Sequence, residues 1–119
     1  NNYRAIRFAD VLLMAAEAFN RKSAPDDAKA LAYLNRVRER AFGNSANNLT
    51  STGSTLTENI WAERRVELMG EGHRFFDLVR TGKAASEIPG FTAGKHELFP
   101  IPEIEIQLAG NTWAQNPGY

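Results

Sequence analysis

The chain of 119 residues contains no cysteine, which excludes disulfide scaffolds, thiolate metal sites and cysteine nucleophiles. It also has no surplus charge, because 14 lysine and arginine residues balance 14 aspartate and glutamate residues. That balance removes the electrostatic case for nucleic acid or an anionic membrane as a partner, and a neutral substrate fits better. No apolar run approaches the ~20 residues of a membrane span. The apolar stretch from Val11 to Phe19 is interrupted by Glu17.

The length suits one domain or a piece of one, with enough residues for a real core. The chain begins Asn-Asn-Tyr-Arg, without an initiator methionine or a basic-then-apolar signal region. This start is typical of a mature product or an excised fragment. We therefore expect residues 1–119 to form a single domain or fragment.

Composition predicts that the first two helices form an antiparallel hairpin. Residues 6–21 are rich in alanine, leucine and methionine and lack glycine and proline, so they favour a helix. The helix is apolar around most of its circumference, which predicts that most of its surface is covered. Pro25 and the two aspartates after it begin the second helix, and Gly43 ends it. The short connection between the helices predicts the hairpin.

The rest of the chain predicts further helices separated by long loops. Residues 44–55 are polar and are expected to be exposed and mobile, and the T-L-T-E sequence at 55–58 has the form of a capping box that starts a third helix. Glycines 70 and 72 end or kink that helix, and a shorter one follows over 73–80. We also expect a turn of helix at 84–87 and a short helix at 103–108. The predicted fold class is all-α.

The charged segment 63–80 is the part of the chain that most needs an explanation. Glu63, Glu67 and Glu71 share one helix face, where like charges repel one another. We expect cations on other helices to neutralise them, and Arg7 and Arg38 are the candidates because a bare guanidinium in an apolar helix is costly to bury. The predicted structural ion-pair network consists of Arg7, Asp10, Glu17, Arg38, Glu63, Arg64, Glu67, Glu71, Arg74 and Asp77.

Catalysis and metal binding are weaker interpretations of the same residues. A glycosidase needs two carboxylates flanking one bond, one of them with a raised pKa. Glutamates beside arginines are instead kept ionised. His73 and Asp77 are spaced to share a metal, but two ligands do not make a site. We expect no enzyme activity, no cofactor and no metal.

An aromatic side chain is the feature of this sequence best suited to binding a sugar, because sugar rings stack on aromatic faces while amides bond the hydroxyls. Trp61, Phe91, Trp113 and Tyr119 are available. Trp61 lies in helical register and is expected in the core. Trp113 lies among Asn111, Gln115 and Asn116 and is the candidate platform, although packing against the helices is the competing interpretation.

Five blocks of sequence, taken together and in order, resemble the C-terminal part of the SusD/RagB family of outer-membrane nutrient-binding lipoproteins. The five blocks extend over nearly the whole chain, and five blocks in the family's order are far more specific evidence than any single block. The blocks are 7–18 (R-F-A-D-V-L-L-M-A-A-E-A), 34–41 (L-N-R-V-R-E-R-A), 63–80, 98–102 (L-F-P-I-P) with Glu105, and 115–119 (Q-N-P-G-Y).

The resemblance implies tetratricopeptide-like helix pairs on the outer face of a Gram-negative outer membrane. It also implies a non-enzymatic protein that binds oligosaccharides or polysaccharides and delivers them to a SusC-like TonB-dependent transporter. The family's signal, lipid-anchor cysteine and first helix pairs are absent from this sequence, so the lipid anchor is expected on the missing N-terminal part. The family's ligand contacts lie largely outside the matched blocks and are not carried over. The alternative function is a helical-repeat module for protein–protein interaction without a small ligand.

Overall fold

The computed structural model describes residues 6–119, which divide into two compact units at the bond between Arg74 and Phe75. The first unit contains α1 (Phe8–Arg21), α2 (Asp27–Phe42) and α3 (Gly53–Glu67). The second contains nearly all of α4 (Arg74–Arg80), together with α5 (Ala84–Glu87) and α6 (Glu103–Leu108). No strand occurs in residues 6–119, so the all-α prediction is confirmed. Whether residues 1–119 act as one domain remains a prediction.

The first unit is a three-helix bundle in which α1 runs antiparallel to both α2 and α3. Phe19 of α1 stacks on Tyr33 of α2 with ring centroids 5.7 Å apart, whereas Phe8 at the other end lies beneath Arg36. This order confirms the predicted hairpin. The buried core takes side chains from all three helices, namely Leu12, Leu13, Ala16, Ala30, Leu34, Val37, Leu56 and Ile60.

The limits of α2 follow the predicted signals. Asp26 caps the helix by accepting a hydrogen bond from the Lys29 N–H at 3.0 Å. Gly43 ends the helix with φ +73°, in the left-handed region that glycine enters without a steric cost. The predicted helices over 84–87 and 103–108 are confirmed at the same residues.

Two predicted helix starts are wrong. α1 begins at Phe8 and not at residue 6, because Arg7 is extended (φ −109°, ψ 155°). α3 begins at Gly53, so the T-L-T-E sequence lies inside the helix and is not a capping box. The Gly53 N–H is bound instead by the carboxylate of Asp27, which lies at the start of α2. A partner from another helix therefore sets this helix start.

The loop before α3 is mostly exposed, as predicted, and side chains of α2 contact its middle. Asn35 both donates to the Leu49 carbonyl and accepts from the Leu49 N–H, at 2.9 and 2.8 Å. Nε of Arg38 donates to the Asn47 carbonyl at 2.8 Å. Leu49 is half-buried and packs against the core. These contacts order the middle of the loop.

The predicted cover around α1 is not found among the described residues. Phe8, Val11 and Met14 are 62%, 43% and 45% exposed, although Leu12 and Leu13 on the opposite face are buried. Within residues 6–119, α1 thus buries one apolar face and leaves a second one open to solvent. None of the helices described is long and apolar enough to cross a membrane.

Candidate functional site

Arg7 links the start of α1 to the end of α3. Its Nη1 contacts Oε1 of Glu67 at 2.9 Å, and its Nη2 donates to the Glu67 carbonyl oxygen at 2.7 Å. The same guanidinium holds Glu71, with Nη2 to Oε1 at 2.7 Å. Glu71 lies in the turn after α3, so the prediction that it shares one helix face with Glu63 and Glu67 is wrong. Because Arg7 precedes the helix in an extended conformation, its side chain reaches two carboxylates and a main-chain carbonyl together.

These contacts change the acidity of both partners. Hydrogen bonds from Arg7 hold the pKa of Glu71 below its ordinary value, and the charges of Arg7 and His73 act in the same direction. Hydrogen bonds to Glu71 and Glu67 raise the pKa of Arg7 further above its already high value. A general acid needs the opposite shift, a carboxyl group with a raised pKa. The cluster at Arg7 is therefore suited to holding charge in place and unsuited to donating a proton.

Two arginines of α2 reach the same acidic face of α3. Nη1 of Arg38 contacts Oε2 of Glu63 at 2.5 Å, and Nη2 of Arg40 contacts Oε1 of Glu67 at 2.5 Å. Arg38 and Glu63 are mostly buried, whereas Arg40 is largely exposed. Glu67 thus receives one cation from the segment before α1 and another from α2.

The most deeply buried ion pair joins Asp10 of α1 to Arg64 of α3. Nη1 of Arg64 donates to Oδ1 of Asp10 at 2.7 Å, and both residues are 5% exposed. At this depth water screens the pair weakly, so each charge depends on its partner and on further hydrogen bonds.

The remaining residues of the predicted network lie in different places. Glu17 pairs with Arg21 one turn along α1, at 2.9 Å. Asp77 pairs with Arg80 within α4, in the second unit, and Arg74 is the first residue of α4. Sequence reasoning missed Arg40. The available signal was its place in the arginine-rich block 34–41.

A second polar cluster joins the opposite ends of the same three helices. Asn20, which is 5% exposed, donates from Nδ2 to Oδ1 of Asp27 at 2.8 Å and to the Gly53 carbonyl at 3.1 Å. Its Oδ1 accepts a hydrogen bond from the Thr57 hydroxyl. Asp27 accepts from the Gly53 N–H at 2.6 Å. The hydrogen bonds from Gly53 and Asn20 lower the pKa of Asp27.

We expect the Asp27 cluster to make stability depend on acid pH. Because the pKa of Asp27 is lowered in the folded state, its contribution is present above the unfolded pKa and is lost as pH falls through the folded pKa. Asp27→Asn removes the ionised acceptor that faces the Gly53 N–H, so the variant should lose stability at neutral pH and show a flatter pH dependence in acid. Urea midpoints between about pH 2 and pH 7 measure both effects. Identical acid profiles for variant and wild type would contradict this account of the junction.

The predicted sugar platform lies in the second unit, where Trp113 is 55% exposed. Two of its neighbours in sequence are already occupied by main-chain groups. The Gln115 amide accepts from the Ile101 N–H and donates to the Ile101 carbonyl, at 2.7 and 2.8 Å. Nδ2 of Asn116 donates to the Phe99 carbonyl at 2.6 Å. These amides brace the 98–102 segment, so they are not available in this state to bind a hydroxyl beside Trp113.

Residues 6–119 contain no group of three or more histidine, aspartate or glutamate side chains placed to hold a metal. The carboxylates of α3 that contact other helices have arginine partners. The first unit is thus a helical scaffold whose helices are joined by ion pairs, and the second unit carries an exposed tryptophan, Trp113.

Comparison with known proteins gives the family. The model of the SusD family matches residues 1–94, and the chain belongs to that family. SusD-like protein P2 of Formosa agariphila is 35% identical over 99% of this chain, and SusD-like protein P25 of the same organism is 44% identical over 69%. A SusD-like protein of Bacteroides ovatus is 38% identical over 66%. The chain spans 26%, 16% and 13% of the lengths of these three relatives. No solved structure matches it.

Proposed function

We propose that this chain is part of a cell-surface nutrient-binding protein that captures a neutral oligosaccharide and hands it to a SusC-like TonB-dependent transporter in the outer membrane. The observation that carries the proposal is membership of the SusD family over residues 1–94. The protein is a binding protein and not an enzyme. Trp113 is the proposed stacking surface for one sugar ring.

The charge network has a structural role in this proposal. The guanidinium groups that contact Glu63, Glu67 and Glu71 come from α2 and from the segment before α1. An ion pair across two helices fixes which faces meet, even where the cost of removing its charges from water cancels most of its net stabilisation. The α3 glutamates therefore orient the scaffold and do not contact the nutrient.

A panel of polysaccharides tests the binding function. In affinity gel electrophoresis and calorimetry, the full chain should bind at least one neutral glycan. Trp113→Ala should then weaken that binding by about tenfold, the factor that corresponds to ~1.4 kcal/mol of stacking. If no glycan of the panel binds, the proposed function is wrong. If Trp113→Ala binds with the wild-type affinity, only the assignment of Trp113 to the binding site is wrong.

The open face of α1 supports a second candidate function, a helical module that binds another protein. Phe8, Val11 and Met14 form a contiguous exposed apolar stripe of the kind found at helix-in-groove interfaces. The glycan panel separates the two candidates. A helical interaction module should bind no glycan, and Met14→Lys should weaken its association with a protein partner without changing the fold.

A further inference from the structure

The second unit surrounds a small aromatic pocket. Two of its rings, Phe91 and Tyr119, are among the aromatic side chains that the sequence offers for binding a sugar. Its volume is about 260 Å³, and its walls include the rings of Phe75, Phe91, Phe99 and Tyr119 together with His96. The Phe75 ring centroid lies 6.4 Å from that of Phe91 and 6.3 Å from that of Phe99. These separations lie within the range of packed aromatic pairs, so Phe75 contacts both rings while the three rings line the pocket.

Phe99 is the most exposed of these rings, at 74%, yet the chain that carries it is held in place. Its carbonyl accepts from Nδ2 of Asn116 at 2.6 Å, and the Tyr119 hydroxyl donates to the Leu98 carbonyl at 3.0 Å. Gln115 fixes the Ile101 main chain from both sides. An exposed aromatic face on a braced backbone is preorganised for a ligand, because little conformational freedom is lost on binding.

The chemistry of the pocket points to a neutral, ring-shaped ligand with hydroxyl groups. No aspartate, glutamate, lysine or arginine lines it. The charge of Lys95, whose Nζ lies 4.6 Å from the centroid of the Tyr119 ring, is engaged by that ring. Nδ1 of His96 accepts from the Thr92 N–H at 2.8 Å, which leaves Nε2 to carry the ring hydrogen as a donor. The Tyr119 oxygen, which donates to Leu98, keeps lone pairs that accept from a hydroxyl.

The volume of the pocket limits the size of the ligand. Pockets for drug-sized molecules have volumes of about 300–1,000 Å³. At about 260 Å³ this pocket is smaller, and it suits a single sugar ring. A sugar ring presents an apolar face that stacks on an aromatic side chain and a rim of hydroxyls that bond to a histidine N–H or a tyrosine oxygen.

We infer that the pocket lined by Phe75, Phe91, His96, Phe99 and Tyr119 is a subsite for one uncharged pyranose unit of the bound glycan, with Phe99 as its stacking face. This inference rests on the proposed glycan-binding function. It places a sugar contact at residues that neither the family comparison nor the sequence motifs assign to a ligand.

The chain offers a matched control for Phe99. Phe76 is a phenylalanine of the same unit with similar exposure, 65%. It does not line the pocket, although its ring packs edge-on against Phe75 with centroids 5.7 Å apart. In calorimetry of the full chain with the glycan that binds wild type, Phe99→Ala should raise the Kd by about tenfold, whereas Phe76→Ala should change it by less than about twofold. Phe99→Trp should restore binding, because a larger aromatic face keeps the stacking surface.

Wild-type binding separates the failure of this inference from the failure of the function on which it rests. If wild type binds a glycan and Phe99→Ala binds it equally well, the subsite is wrong and the proposed function stands. If Phe76→Ala weakens binding as much as Phe99→Ala, the loss is not specific to the pocket and the inference is again overturned. If the wild-type chain binds no glycan, both the subsite and the proposed function are wrong. Circular dichroism of each variant verifies that the helices are retained.

Discussion

Asp10→Ala should lower the free energy of unfolding of the first unit by about 3 to 5 kcal/mol, the range for breaking a buried ion pair from one side. Asp10 and Arg64 are each 5% exposed and meet at 2.7 Å. Removing the carboxylate takes away the buried negative charge that Nη1 of Arg64 contacts. Urea titration followed by Trp61 fluorescence in a Trp113→Phe background measures the loss, since Trp61 lies in the first unit.

A double variant distinguishes the loss of a charge partner from the loss of packing. Replacing a buried ion pair by apolar residues of similar volume is often neutral, or stabilising by about 1 to 4 kcal/mol. Asp10→Leu combined with Arg64→Met should therefore be more stable than Asp10→Ala alone. A double variant at least as unstable as the single variant would show that polar contacts beyond this pair determine the cost.

Leu13→Ala should destabilise the first unit by about 3 to 5 kcal/mol, as expected for a truncated core leucine whose cavity collapses only partly. Leu13 is fully buried in the cluster that joins α1, α2 and α3. Its loss removes apolar burial from all three helices at once. The urea midpoint should fall with little change in slope, because the surface exposed on unfolding is nearly the same.

Met14 provides the control next to Leu13. It projects about 100° away from Leu13 around the same helix and is 45% exposed, so Met14→Ala should cost less than about 1 kcal/mol. Alanine is also a stronger helix former than methionine, which offsets part of that loss. Equal losses for Leu13→Ala and Met14→Ala would mean that the exposed face of α1 is covered in solution.

Local signals in the sequence were enough to predict the elements whose ends are set locally. Asp26 and Gly43 bound α2 through contacts within a few residues of the helix, and two prolines precede α6. Arg7 and Arg38 were predicted as partners of the glutamates for two reasons. Glutamates on one helix face repel one another, and a guanidinium buried in an apolar helix without a partner is costly. In the structure both arginines contact those glutamates.

The features that the sequence did not predict are contacts between residues that lie far apart in the chain. The start of α3 depends on Asp27, 26 residues away from Gly53, and Arg64 meets Asp10 across 54 residues. Local rules favoured a capping box at 55–58, and a contact from α2 overrode it. The aromatic pocket was missed for the same reason, since Phe75, Phe99 and Tyr119 are brought together only by folding.

A double-mutant cycle on Arg38 and Glu63 tests most directly the claim that the charges of α3 build the scaffold. The pair links α2 to α3 and is mostly shielded from water. Unfolding free energies of wild type, Arg38→Ala, Glu63→Ala and the double variant should give a coupling energy of about 1 to 3 kcal/mol. Glycan affinity of the folded variants should stay at the wild-type level. A coupling energy near zero, together with lost glycan binding in Glu63→Ala, would contradict the account and place Glu63 in the binding site.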